Sequence, residues 1–233
     1  MADPISIVFP IYPGVTHLDF TGPHQFLSQL PGARAIAASV GGIPIEADGL
    51  VFSGLSDLTA IERCDVLCIP GGFGCIDAMQ DTAFIAAIRR LAATAHYVTS
   101  VCTGSLILGA AGLLKGRRAA CHWAWRELLT EFGAIPGPGR VVRDGAIITG
   151  GGVTAGIDFA LTLMAELAGR EVAETIQLRL EYAPEPPFDA GRPEIASQAV
   201  LEAVMARMAA IEPARRAGIR RAAEALHARV GTA

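Results

Sequence analysis

The chain predicts an α/β fold, a mainly parallel sheet covered by helices on both faces. Its 233 residues are 52% hydrophobic and only 18% charged, enough apolar side chain for a substantial core and too much for a disordered or fibrous chain. Over the first two thirds, short β-branched runs alternate with Ala-rich or amphipathic stretches, the rhythm of repeated strand–helix units. The β-branched runs are nearly continuous in apolar residues, as expected of strands buried on both faces.

Strands are expected at residues 5–9, 33–39, 66–69 and 97–101. Between the last two, residues 81–94 (DTAFIAAIRRLAAT) space Phe84, Ile85, Ile88 and Leu91 along one helical face, with Asp81 as N-cap. This is the crossover helix between two parallel strands. A helix over 104–114, a short strand at 118–120 and a helix over 122–132 follow. The segment RVVRDGAIITGGG reads as a hairpin, because Asp144-Gly145 is a tight-turn pair. Helices are expected at 154–167 and 171–182. Residues 183–194 carry four prolines and must be extended. Helices over 195–208 and 213–230 close the chain. From Pro213 onward there are five Arg against one Glu, read as a solvated helix face with packing contacts rather than an anion patch. The expected organisation is an α/β domain over 1–190 and a helical extension over 191–233, packed on the same domain or on a dimer partner.

Charge and composition narrow the function classes. Lys and Arg number 19 against 23 Asp and Glu, a net −4, so there is no overall basic excess for a phosphate backbone and no nucleic-acid partner is expected. Mean hydropathy is +0.42, yet Gly, Pro, Asp and Arg interrupt every apolar run before the roughly 18–20 residues of a membrane span. The opening MADPISIVFP places an Asp where a secretory leader has Lys or Arg and reads as a first strand, so a cytoplasmic protein with no membrane association is expected. Five cysteines, an odd number without a C-x-x-C pair, imply reduced thiols rather than a disulfide scaffold or a zinc site.

One of those thiols stands apart. In AHYVTSVCTGSLILGAAGLL a buried strand runs into Cys102, then Thr103-Gly104-Ser105, then an apolar helix. This strand–turn–helix elbow sets a sulfur at the carboxyl end of a parallel strand, where open α/β sheets form ligand crevices. The N–H groups and dipole of the following helix would favour its thiolate. Cys64, Cys68 and Cys121 read as packing thiols, while the loop carrying Cys75 could face the same crevice. A second strand ends in Ile69-Pro70-Gly71-Gly72, whose glycines let backbone amides approach a ligand or form an oxyanion hole. In the first loop, Asp19 stands among apolar neighbours ahead of a helix expected to start near Thr21 to Pro23. Thr21 is the better N-cap, which leaves Asp19 to hold or deliver a proton if it points into the crevice. His122 could reach the crevice; His17, His24, His96 and His227 read as surface or helix-start residues. No metal-ligand spacing and no G-x-G-x-x-G or G-K-[ST] loop is present, so neither metal nor nucleotide cofactor is expected.

Together, D-x-T-G-P at residues 19–23, IPGG at 69–72 and SVCTGSLILGAAGLLKGRRA at 100–119 resemble the ThiJ/PfpI superfamily of flavodoxin-like proteins with a nucleophile-elbow cysteine. CHWAW, VVRDG, ITGGGVTAGIDFALTLMAEL and QLRLEYAPEPPFDAG extend the likeness to residue 191, towards its isocyanide hydratase branch. The resemblance implies Cys102 as nucleophile, Asp19 as partner carboxylate, and Gly72 and Thr103 as oxyanion-type amides. It also implies a Gly150-Gly151-Gly152 turn near the substrate, with Gly151 among the contacts, no cofactor, and a homodimer. Thr103 replaces the His that often follows the cysteine in protease-like and glyoxalase-like branches, which favours a Cys/Asp mechanism over a Cys/His dyad. Hydration of an isocyanide to an N-substituted formamide through a Cys thioimidate is the expected reaction. A thiol-based redox or stress protein, or a glyoxalase-like hydratase, is the alternative. Relatives of this kind also form the N-terminal part of transcription regulators, whose DNA-binding region has no counterpart expected here.

Overall fold

A computed structural model describes residues 4–230. In chain order the elements are β1 (Ile5–Pro10), α1 (His17–Leu27), β2 (Ala33–Ser39), β3 (Ile45–Ala47), β4 (Leu50–Phe52), β5 (Ser56–Asp57), β6 (Val66–Ile69), α2 (Cys75–Ala78), α3 (Thr82–Ala92), β7 (Tyr97–Val101), α4 (Gly104–Ala110), β8 (Arg118–Ala119), β9 (Ile135–Pro136), β10 (Val141–Asp144), β11 (Ile147–Gly150), α5 (Ala155–Ala168), α6 (Arg170–Arg179), α7 (Gln198–Ala209) and α8 (Glu212–Val230). The main sheet runs β10-β11-β7-β6-β1-β2-β5 and is parallel except for the β10–β11 hairpin. Helices α1 and α5 pack together on one side, and α3, α4 and α8 cover the other. Among the described residues, no helix is long and apolar enough to cross a membrane.

The central strands carry the core. All four residues of β6 and the last four of β1 are buried, because helices cover both faces of these strands. Asp81 caps α3 as the sequence predicts, its Oδ1 accepting from the amides of Ala83 and Phe84 at 2.9 and 3.0 Å.

Of the boundaries that differ from expectation, three bear on the surroundings of the Cys102 elbow. Helix α1 starts at His17, not near Thr21, so Asp19 lies in its first turn and Thr21 donates its hydroxyl back to the His17 carbonyl at 3.0 Å. Pro23, which suggested a helix start, sits in the interior, where its missing N–H leaves no donor for the Asp19 carbonyl. Helix α4 stops at Ala110, where Gly112 at φ 81° turns the chain and the Leu113 amide bonds back to Leu108. Residues 122–132 are not one helix: a turn closed by the Trp125 amide on the His122 carbonyl leads into a 3₁₀ segment, Arg126–Phe132.

The C-terminal helices differ from each other. Every side chain of α7 is at least partly exposed, whereas α8 buries Arg215, Ile219, Ala222, Ala223 and Leu226. Gly218 permits that docking, since a Cβ there would lie 2.4 Å from Ile76 Cγ2. Gln80 adds a hydrogen bond to the Gly218 carbonyl at 3.0 Å.

Candidate active site

Strands β1, β6, β7 and β11 lie side by side in the sheet, so the segments that follow them share one rim at their carboxyl ends. They deliver the first loop with α1, the Pro-Gly-Gly turn, the Cys102 elbow and the glycine turn at 150–152. The first two are clipped together: the Thr16 amide donates to the Gly71 carbonyl at 2.9 Å and the Gly74 amide to the Gly14 carbonyl at 3.0 Å.

Cys102 adopts φ 57°, a left-handed conformation that is uncommon for a residue with a Cβ. Its amide donates to the Gly150 carbonyl at 3.1 Å, which fixes the elbow to β11. Behind the turn, Ser105 donates its hydroxyl to the Ala120 carbonyl at 2.5 Å, so Ser100, 2.7 Å away, is the donor in the serine pair. Ser105 thus anchors the elbow through a buried polar chain.

Cys102 is 5% exposed. Burial, the charge of Asp19 and the neighbouring Cys121 push its pKa well above the usual thiol range, and the Thr103 amide offsets only part of this. Cys102 therefore rests as a neutral thiol, contrary to the thiolate expected from the helix dipole. The helix has only seven residues, and burial is the largest influence on the Cys102 thiol. Burial likewise pushes Cys64, Cys68 and Cys75 up to about 12. Cys75 is fully buried and does not line the pocket that holds Cys102.

Asp19 is fully buried. Burial raises its carboxyl to about 7, against the opposing influence of the Cys102 thiol and the Gly71 amide. Neither of those groups meets it with ordinary hydrogen-bond geometry, and both carboxylate oxygens lack a full partner. Tyr12 does not supply one, because its hydroxyl donates to the Pro70 carbonyl at 2.9 Å. An orphan buried carboxyl is expensive to keep. Near neutral pH, Asp19 and Cys102 form a buried pair in which the thiol is protonated and the carboxyl sits close to its midpoint.

The Pro-Gly-Gly turn makes this approach possible. A Cβ on Gly71 would stand 2.5 Å from the Thr103 nitrogen and 2.7 Å from Asp19 Oδ2. Gly71→Ala is therefore expected to destabilise the fold by about 1–3 kcal/mol through overpacking, read as a lower urea midpoint; an unchanged midpoint would show that Thr103 and Asp19 are not held this tightly.

Two expected amides are engaged elsewhere. The Gly72 amide donates to Thr103 Oγ1 at 2.8 Å, and that hydroxyl donates back to the Gly72 carbonyl at 3.0 Å. The Gly151 amide donates to the Arg140 carbonyl at 2.8 Å and helps end the hairpin. Thus Gly72 lines the pocket with its amide already satisfied, and Gly151 offers no free donor. Only the Thr103 amide is directed at Cys102.

Above the sulfur is a chamber of about 80 Å³ lined by Thr16, Gly72, Phe73, Thr103, His122, Trp125, Val153 and Met208. Phe73 and Trp125 meet edge to face at 6.1 Å. His122 is held below its ordinary pKa by burial and then by Arg215. Its Nδ1 accepts from the Ala124 amide at 3.3 Å, so the neutral ring carries its proton on Nε2. Trp125 and Val153 lie within motifs of the resemblance, but nothing marked them, Phe73 or Met208 as pocket wall, because an apolar residue in a pocket and one in a core have the same type and spacing. Among the described residues, no cluster of His, Cys, Asp or Glu could hold a metal.

Residues 5–166 match the DJ-1/PfpI family. The chain belongs to that family. Within it, the isonitrile hydratase of Pseudomonas putida is 50% identical over 209 residues, spanning 88% of this chain and 90% of that protein. A THiJ/PfpI family protein from Pseudomonas syringae superposes with a TM-score of 0.89 at 41% identity, covering 94% of this chain and 90% of that one. DJ-1beta of Drosophila melanogaster reaches a TM-score of 0.69 at 21% identity over 78% of this chain and 100% of its own, a likeness of fold alone. The DJ-1/PfpI match contains Cys102 and Asp19 but ends before α7 and α8, which carry Met208 and Arg215.

Proposed function

We propose that this chain is an isocyanide hydratase, converting an isocyanide and water to an N-substituted formamide, with Cys102 as nucleophile and Asp19 as proton carrier. The observation that carries the reading is a neutral thiol facing a buried carboxyl with no full hydrogen-bond partner, beneath an apolar chamber. Identity of 50% with an isonitrile hydratase over most of the chain supports the same substrate class.

An isocyanide carbon accepts a nucleophile and also bears the lone pair that must be protonated. Asp19 as carboxylate takes the Cys102 proton while sulfur bonds to that carbon; the resulting acid delivers the proton to the same carbon. The product is an N-substituted thioimidate on Cys102, with no net gain or loss of protons. Water then adds to the thioimidate carbon, Asp19 removes its proton, the nitrogen is protonated and the C–S bond breaks. Formamide leaves and sulfur regains its proton. Each step is an addition or elimination with proton transfer, so the proposal includes no cofactor. Because Asp19 can collect the proton of the adding water, the reaction has little need of the Gly72 and Gly151 amides, which are already engaged.

The redox-sensor alternative has less support, since sensor thiols are accessible and of low pKa, whereas Cys102 is buried and raised. The glyoxalase-like alternative lacks a His directly after the cysteine. A homodimer, as the resemblance implies, and a cytoplasmic location complete the proposal.

The test is hydration of cyclohexyl isocyanide in ¹⁸O-labelled water. Formamide carrying one ¹⁸O and a transient adduct on the Cys102 peptide are expected; absence of formamide overturns the proposal.

A further inference from the structure

Arg215 on α8 is nine-tenths buried, at 7% exposure. Its guanidinium carbon lies 4.7 Å from the centroid of the Trp125 ring, a cation–π distance. One terminal nitrogen donates to the Ala124 carbonyl at 3.2 Å and stands 4.0 Å from Met208 Sδ; the other pairs with Glu212. Nε is buried with no hydrogen-bond partner, a cost that a peripheral arginine avoids by turning to water. The helix carrying it is fixed to α2 by the close Gly218–Ile76 contact. Arg215 thus ties together the turn at Ala124, Trp125 and Met208, and both of the last two line the chamber over Cys102.

The chamber shares wall residues with neighbouring depressions. Trp125 and Met208 form part of its apolar wall. Met208 stands where the chamber meets two outer depressions, one of about 480 Å³ with Phe73, Val204, Arg207 and Ile211, the other of about 180 Å³ with His122 and Trp123. A methyl substituent would touch little of that wall, whereas a cyclohexyl or aryl group would lie against Trp125 and Met208.

We infer that Arg215 is a positioning residue that holds Trp125 and Met208 as one apolar wall and so selects isocyanides with bulky apolar substituents over small ones. This rests on the hydratase reading and adds to it a determinant of substrate choice outside the family-matched region.

The test compares wild type, Arg215→Met, Arg215→Lys and Met208→Ala on cyclohexyl and methyl isocyanide, with near-UV circular dichroism to verify folding. Arg215→Met is expected to lower the cyclohexyl-to-methyl ratio of kcat/KM about tenfold, mainly through a higher KM for the cyclohexyl substrate. Arg215→Lys should restore part of the ratio, because an ammonium keeps the charge over the ring but not the planar fork. Met208→Ala, which leaves α8 intact, should shift the ratio the same way. An unchanged ratio in both Arg215→Met and Met208→Ala, or equal losses of kcat on both substrates, overturns the inference. A second readout is independent of turnover: the rate of Cys102 alkylation by phenacyl bromide relative to iodoacetamide should fall in the same variants. If wild type hydrates neither isocyanide, the hydratase reading fails and the alkylation ratio alone decides the role of Arg215.

Discussion

Cys102→Ala is expected to reduce formamide production to the uncatalysed background, a loss of roughly four orders of magnitude or more, as when a covalent nucleophile is removed. The loss should fall on kcat, because the chamber that binds the substituent is built by other residues. Cys102→Ser should be nearly as inactive: with its proton carrier held near 7, a buried hydroxyl is a far weaker nucleophile than a thiol. Unfolding does not explain this outcome. Alanine keeps the φ of 57° with its existing strain and removes one buried sulfur, a modest change in packing. Circular dichroism and urea unfolding of the inactive variant should therefore remain close to wild type. Retained turnover in Cys102→Ala would remove the thioimidate from the mechanism.

Asp19→Asn is expected to act in opposite directions on activity and stability. Loss of the proton carrier should lower kcat/KM by roughly 100- to 10,000-fold. Stability should rise, because the substitution removes a charge that the fold buries without full compensation. Burial raises the Asp19 carboxyl from 3.8 to about 7, so between those values the folded state holds a proton that the unfolded chain has released. Wild-type stability contributed by this group is complete below about pH 4 and is lost as pH rises through 7. A shift of about three units corresponds to a penalty on the order of 4 kcal/mol above pH 7. The stability advantage of Asp19→Asn should thus be largest near pH 8 and shrink towards pH 5, as measured by urea midpoints at the two values. In wild type, kcat/KM should rise with pH through about 7 as the carboxylate forms, and that limb should vanish in the variant. A flat wild-type profile from pH 5.5 to 8.5 would mean that Asp19 does not move the proton.

The layout of the sheet was legible because buried parallel strands announce themselves as uninterrupted apolar runs. The expected strands at 33–39, 66–69 and 97–101 coincide with β2, β6 and β7. Cys102 was legible too, since the elbow is local: strand, small residues and helix follow each other in the chain. Contacts between distant segments were less so. The occupied Gly72 amide depends on a hydroxyl 31 residues away, and the engaged Gly151 amide on the carbonyl of Arg140 across the hairpin. Pro23 misplaced the start of α1 because a proline inside a helix is tolerated only where tertiary packing compensates, and here it rests against Gly156. The resting state of Cys102 also required the fold, because desolvation is a property of everything around the sulfur. The chamber wall had no local signature, because it is assembled from distant segments; Arg215 reaches both Trp125 and Met208.

The division of labour along the chain has a consequence for how such a protein diversifies. The proposed reacting groups, Cys102 and Asp19, belong to a strand end and a first helical turn inside the family-matched segment. Met208 and Arg215 arrive from beyond the proline-rich stretch at 183–194, on helices that dock chiefly through one face of α8. Drift in the last forty or so residues can reshape what enters the chamber while leaving the proton path untouched. On the proposed roles, a junction in that proline-rich stretch would exchange Met208 and Arg215 while keeping Cys102, Asp19 and Trp125.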